Sequence, residues 1–223
     1  MRVSLMSDQE IRNLFAKWRS WLENELLGQM QNLIIDRRIF LAFRRSVVPF
    51  VGREGAEIAE WIARNYVANV CTTIRRLGDR HDITISLRKL LEGLHKHADL
   101  LTAENFEKYT GIERDLGIAS GEIPGVIGKD LEAIDRCSSV IKAFVDITIA
   151  HTDKKHNNIT LATFGDAELA FERFHFIYRR YAWWLIGTAW QPDDPNPDDL
   201  SPPDDENYET LFSRMWQGPA DVD

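Results

Sequence analysis

His151 closes an apolar helical run, "FVDITIAH" (residues 144–151), and is followed at once by Asp153, Lys154 and Lys155 in a polar stretch. An imidazole titrates near working pH, so it can take a proton and give it back, and two ammonium groups one turn away could hold a phosphate within its reach. The same residues also fit a structural role, a histidine favoured by the dipole at a helix end and then a solvated charged loop. Arg75, Arg76 and Arg80, grouped around Asp79, divide in the same way. They are either a platform for phosphates or the last turn of a helix, where bases are favourable anyway.

No comparable pattern points to a metal or a cofactor, and neither is expected. Cys71 and Cys137 stand apart, without CxxC or Cys/His spacing, and are read as buried reduced thiols. Tyr178, Tyr181, Trp183 and Trp184 recur at helical spacing beside Phe171 and Phe174, the pattern of a core or a dimer seam rather than of a base-stacking platform. Arg179 and Arg180 on the same stretch are read as surface or interface ion pairs.

The chain that must position these groups has 223 residues, 44% hydrophobic and 28% charged, the composition of a soluble globular protein. It has no apolar run of membrane-spanning length and no apolar leader at its start, so no membrane partner is expected and a cytoplasmic location is. The net charge of −8 is unevenly spread. Residues 191–223 carry ten acids and one base, Arg214, whereas residues 1–190 carry 25 acids and 26 bases. The acidity therefore belongs to the tail, and a near-neutral body does not exclude a nucleic-acid partner.

The hydrophobic pattern is helical almost throughout, which predicts an all-α bundle of four to five long helices. Ser7 and Glu10 stand at capping-box spacing before Ile11, Leu14, Phe15, Trp18, Leu22 and Leu26. A second helix is expected up to Pro49, and a long third one carries Ile58, Trp61, Ile62, Asn65, Val67, Val70 and Ile74 to a stop at Gly78. Ser86 is a candidate N-cap for the helix that follows. Residues 102–128, with five glycines and Pro124, read as a connection holding one short helix.

From about Lys129, a stripe of Leu131, Ile134, Ser138, Ile141, Val145 and Thr148 reaches His151 at helical spacing. A last long helix is expected from about Asp166 to Ala189. The division that follows is a helical domain over 1–190 and an acidic Pro/Asp-rich extension over 191–223, disordered apart from a short helix near 207–216.

Two blocks together resemble a known group. They are "IRRLGDRHDITISLRKLLEGL" (74–94), with Arg75, Arg76, Asp79, Ser86 and Leu87, and "IAHTDKKHNNITLATFGDAELAFERFHFIYRRYAWWL" (149–185), with Ala150, His151, Asp153, Lys154, Lys155 and Thr163 to Asp166. Their order and spacing resemble bacterial proteins of the HEPN superfamily, in particular those related to the U-type abortive-infection phage-resistance proteins. The resemblance implies a compact helical bundle that commonly forms a homodimer and acts in phage defence or as a toxin paired with an antitoxin. It implies either metal-independent ribonuclease activity or a catalytically degenerate module that binds a protein or nucleic acid. On this reading His151 is the catalytic residue, and Lys154, Lys155, Arg75, Arg76 and Arg80 contact RNA.

The superfamily's catalytic signature is R-x(4–6)-H, and this chain departs from it. The positions where that arginine should stand before His151 are Phe144, Val145 and Asp146, and none is basic. The cation would then come from Lys154 and Lys155 or from Arg75, Arg76 and Arg80. The literal spacing recurs at Arg76/His81 and Arg88/His95, as chance allows in a chain with six histidines. The acidic tail is either a solvated extension or a cover for a basic site, with "YETLFSRMW" as an apolar docking element at its end.

Overall fold

The structure, a computed structural model, describes residues 6–47, 52, 55–111, 113, 116–145 and 163–187. The described residues form helices and turns with no strand, in agreement with the all-α expectation. The elements are α1 (Asp8–Ser20), α2 (Leu27–Ser46), α3 (Ala56–Leu77), α4 (Leu87–Lys96), α5 (Ala103–Thr110), α6 (Ile123–Phe144) and α7 (Phe164–Leu185).

The caps explain where several of these begin. The Ser7 hydroxyl accepts from Glu10 N while the Glu10 carboxylate accepts from Ser7 N at 2.7 Å, closing the expected capping box of α1. Ser86 and Thr102 accept from Lys89 N and Asn105 N at the starts of α4 and α5. The "TFGD" element is itself a capping box: Thr163 accepts from Asp166 N, and Asp166 accepts from Thr163 N at 2.7 Å. Each such cap is worth about 1 kcal/mol.

Three expectations about the helices need correction. The first two helices are one continuous run, joined by a π segment over Trp21–Leu26 in which Leu27 N–H donates to Leu22 O. The buried residues Trp18, Leu22, Leu26 and Met30 recur every four positions. A straight α-helix would rotate that stripe off the core by roughly 40° per step, and the wider π turn absorbs the drift. Second, α6 begins at Ile123 rather than near Lys129, because Pro124 lies in the first turn, where its missing N–H costs nothing. Third, Ile58 and Trp61 are 51% and 66% exposed, so the N-terminal half of α3 does not bury the stripe that its periodicity suggests.

The core gathers one face of every long helix, with Phe15, Trp18, Leu22, Ile74, Leu77, Leu91, Ile134, Ile141, Phe174 and Tyr181 fully or almost fully buried. Tyr178, Tyr181 and Trp184 are core residues as their spacing suggests. Helices α6 and α7 run antiparallel, fastened where Arg180 Nη1 and Tyr181 Oη both donate to Asp130 Oδ2 at 2.6 and 2.9 Å. Arg180 is thus an internal ion pair, and Arg179 is itself buried, which corrects their placement at the surface. Cys71 is buried and Cys137 half-buried, both as free thiols.

Candidate functional site

The C-terminal turn of α3 presents Arg75 and Arg76 on its exposed side, where the partial negative charge of a helix end favours cations. The chain then leaves the helix through Gly78, whose N–H still bonds Ile74 O at 2.9 Å. A Cβ at Gly78 would stand 2.2 Å from Ser138 Oγ of α6, so glycine is what lets the two helices approach this closely.

The turn after Gly78 is held by its own hydrogen bonds. His81 N donates to Asp79 Oδ1 at 3.1 Å, Ser86 Oγ donates to Asp79 O at 2.7 Å, and Thr84 Oγ1 donates to His81 O at 2.8 Å. Partial burial pushes the Asp79 carboxyl upward, but the hydrogen bonds from His81, Thr84 and Arg80 outweigh it and hold the group below the usual carboxylate range. The aspartate of the first resembling block therefore shapes a turn.

That turn delivers Arg80 to α6. Arg80 Nη2 lies 2.8 Å from Asp135 Oδ1, and Arg88 of α4 grips the same carboxylate through Nε at 2.8 Å and Nη2 at 3.2 Å. The hydrogen bonds from Arg88, with those from Arg80, hold the Asp135 carboxyl below its ordinary pKa against the effect of partial burial. Arg88 also pairs with Glu92 and is only 8% exposed, so it works as a buried clamp rather than as half of an Arg88/His95 catalytic pair.

Between these parts lies a cleft of about 340 Å³ lined by Arg75, Gly78, Asp79, Arg80, Asp135, Ser138, Ser139 and Lys142. Three cations face two carboxylates across it. The Ser138 hydroxyl oxygen at the Gly78 contact is buried and has no hydrogen-bond partner among the described residues. A buried hydroxyl left unsatisfied is costly, and a ligand oxygen or a water in the cleft would relieve it. A phosphate fits this lining, with guanidinium and ammonium groups on its charge and a hydroxyl to donate.

The cleft thus brings together two of the arginines singled out in the sequence, Arg75 and Arg80, and adds Ser138 from the stripe that leads toward His151 and Lys142 from the exposed side of α6. Arg76 lies on the same turn but is not among the lining residues. His151, Lys154 and Lys155 lie outside the described residues, between the C-cap of α6, Val145, and the N-cap of α7, Thr163. Sequence reasoning misses Lys142; the one local signal is a base four residues, about one helical turn, after Ser138.

A second polar group lies inside the bundle. Glu168 of α7 accepts from Tyr66 Oη at 2.5 Å and from Arg37 Nε at 2.9 Å, tying α2, α3 and α7 together. Nearby, burial and then the charges of Arg179, Arg37 and Arg38 push the His175 imidazole down to about 4. Phe164, Glu168, Phe171, His175 and Tyr178 share one helical stripe, and an acid and an imidazole on a buried stripe are the signal from which this group could have been found.

The family comparison agrees with the resemblance carried by the two blocks. The family model of the AbiU2 proteins of the HEPN type matches residues 12–202. The chain belongs to the AbiU2 family. It is accordingly a HEPN protein of the abortive-infection, or defence, kind. No curated protein and no solved structure matches the chain. Among the described residues of this AbiU2 protein, no helix is long and apolar enough to cross a membrane, and no three His, Cys, Asp or Glu side chains are grouped so as to hold a metal ion.

Proposed function

We propose that this AbiU2 protein binds RNA in bacterial phage defence, that the α3–α6 cleft holds the RNA phosphates, and that His151 serves metal-independent cleavage beside it. The observation that carries this reading is the convergence of Arg75, Arg80 and Lys142 around the buried Ser138 hydroxyl. On this reading Arg75, Arg80 and Lys142 stand in for the arginine missing at positions 144–146.

In the reaction, the ribose 2′-oxygen attacks the adjacent phosphorus and the bond from phosphorus to the 5′-oxygen breaks. The 2′-hydroxyl proton leaves to a base and the 5′-oxygen gains one, so the products are a 2′,3′-cyclic phosphate and a 5′-hydroxyl. His151 is the side chain suited to the proton transfers, and the guanidinium groups of the cleft are suited to the charge that builds on the phosphorane oxygens. Lys154, Lys155 and Arg76 extend the basic surface along the RNA, and a second copy of the chain in a homodimer would double it.

Phe144, Val145 and Asp146 favour a second reading, in which the cleft binds RNA or an antitoxin without cutting. One experiment separates the two. The purified protein and its His151→Ala variant are incubated with total RNA in EDTA, and RNA retention is measured in parallel. Cleavage by the parent that the variant loses supports the nuclease. Equal retention by both without cleavage supports the binding module, and neither cleavage nor retention sinks the RNA reading altogether.

A further inference from the structure

Helices α2 and α3 leave a groove on the outside of the bundle, about 500 Å³ in volume, with Ile39, Phe40 and Phe43 on one wall and Ile62 and Tyr66 on the other; Asn65 also lines it, and one end is polar, where Asn69 Nδ2 donates to Asp36 Oδ2 at 2.5 Å. Its floor is rigid. Phe40 and Tyr66 stack with centroids 4.2 Å apart and planes within 2°, and Phe164 at the start of α7 backs both rings. One turn before the lining residues Ile62 and Asn65 on α3, Ile58 and Trp61 are 51% and 66% exposed. A tryptophan that open, next to an apolar trough, marks a surface built to be covered.

The sequence holds a segment that matches this groove. In "YETLFSRMW" the residues Tyr208, Leu211, Phe212, Met215 and Trp216 fall at i, i+3, i+4, i+7 and i+8, and Glu209, Thr210, Ser213 and Arg214 take the other positions. Wound as a helix, the five apolar side chains would occupy an arc of about 140° with no polar residue inside it. Nine helical residues span about 13 Å, and the groove walls from Asp36 to Phe43 and from Ile62 to Asn69 run about 10 Å, reaching about 17 Å along α3 if Ile58 is included. This is the spacing by which an amphipathic helix anchors in an apolar groove.

The connection is long enough. The groove lies at the N-terminal end of α7, where Phe164 and Glu168 meet α2 and α3, whereas the tail departs from the other end of that helix, roughly 33 Å away. Between Gly187 and Tyr208 there are 21 residue steps, which extend to about 70 Å. Its composition, acidic and rich in proline, favours extension over collapse and offers little to compete for the apolar site. The family match ends at residue 202, before Tyr208, so this element stands outside the part of the chain shared with the family model.

We infer that the C-terminal segment Tyr208–Trp216 docks as an amphipathic helix into the α2–α3 groove of its own chain, covering Trp61 and Ile58. The inference does not depend on RNA binding.

Hydrogen exchange of the full chain, followed by mass spectrometry, tests it. Backbone amides of 209–216 exchange at least 10-fold more slowly in the parent than in Phe212→Asp. A nine-residue helix in water is too short to protect itself, so slow exchange means docking. The same slowing disappears in Trp61→Ala and in Ile62→Asn. Trp61 is exposed, so its removal leaves the bundle folded, and far-UV circular dichroism checks Ile62→Asn, whose result is discarded in favour of Trp61→Ala if the spectrum changes. Fast exchange in the parent overturns the proposal, and so does protection that survives Trp61→Ala. Protection that rises with protein concentration also overturns it, because the occupant is then a second copy's segment.

Discussion

Gly78 and Ser138 meet so closely that a single methyl group on Gly78 would stand 2.2 Å from the serine hydroxyl oxygen. The contact joins the end of α3 to the middle of α6 and sets the back wall of the basic cleft. Gly78→Ala is expected to lower stability by about 1–3 kcal/mol, since α3 or the serine must shift. Ser138→Ala removes the hydroxyl but leaves its Cβ, which is 3.2 Å from the added methyl, so the double variant recovers part of the loss. A double-mutant cycle in urea measures the coupling, and purely additive losses would mean that the two residues do not collide.

His175 predicts a dependence of stability on pH. Burial and the nearby Arg179, Arg37 and Arg38 hold its folded pKa near 4, below the 6.5 of an exposed imidazole. The unfolded chain therefore binds a proton between pH 6.5 and 4 that the folded chain refuses, and stability falls as pH falls through that window. The loss attributable to this residue is on the order of 3 kcal/mol. Urea midpoints between pH 7 and pH 4 should fall less steeply in His175→Gln than in the parent, and identical slopes would refute the assignment.

Asp130 predicts a graded loss. It is 7% exposed and accepts from both Arg180 and Tyr181, so Tyr181→Phe removes one hydrogen bond to a charged group, about 1.5–3 kcal/mol. Asp130→Ala strands the Arg180 guanidinium as well and costs about 3–5 kcal/mol. Thermal melts should rank parent, Tyr181→Phe and Asp130→Ala in that order.

What the sequence made legible was local. Ser7, Ser86 and Gly78 mark helix ends by chemistry within a few residues, and the buried stripe of α7 follows from its own period. The start of α6 is hidden in the sequence because Pro124 has the signature of a breaker, although proline is at home in a first turn. Trp61 has the spacing of an apolar stripe, yet the bundle leaves it 66% exposed. Long-range relations were beyond reach. Asp135 meets Arg88 from 47 residues away, and Ser138 meets Gly78 across two helices, so nothing in either segment announces the other. Arg75 and Arg80 could be selected as a basic group, but Lys142 joins them only through the packing of α6. His151, Lys154 and Lys155 lie outside the described residues.

The Arg80–Asp135 pair yields a prediction whose two parts have opposite signs. Asp135 neutralises one wall of the cleft while holding Arg80 at 2.8 Å and the buried Arg88. Asp135→Asn keeps the shape but removes the charge, leaving three cations against one carboxylate in the lining. Stability should fall by on the order of 1–3 kcal/mol, because Arg88 loses a charged partner. RNA retention should nevertheless tighten and depend more steeply on salt, since an anion no longer competes with Asp135 for Arg80. Arg75→Ala and Lys142→Ala should act the other way, each weakening retention and lowering the salt slope by about 1. Filter binding across 50–300 mM salt reads all three variants. If Asp135→Asn weakens retention along with stability, the cleft is only a structural joint between α3, α4 and α6, and the RNA phosphates lie elsewhere.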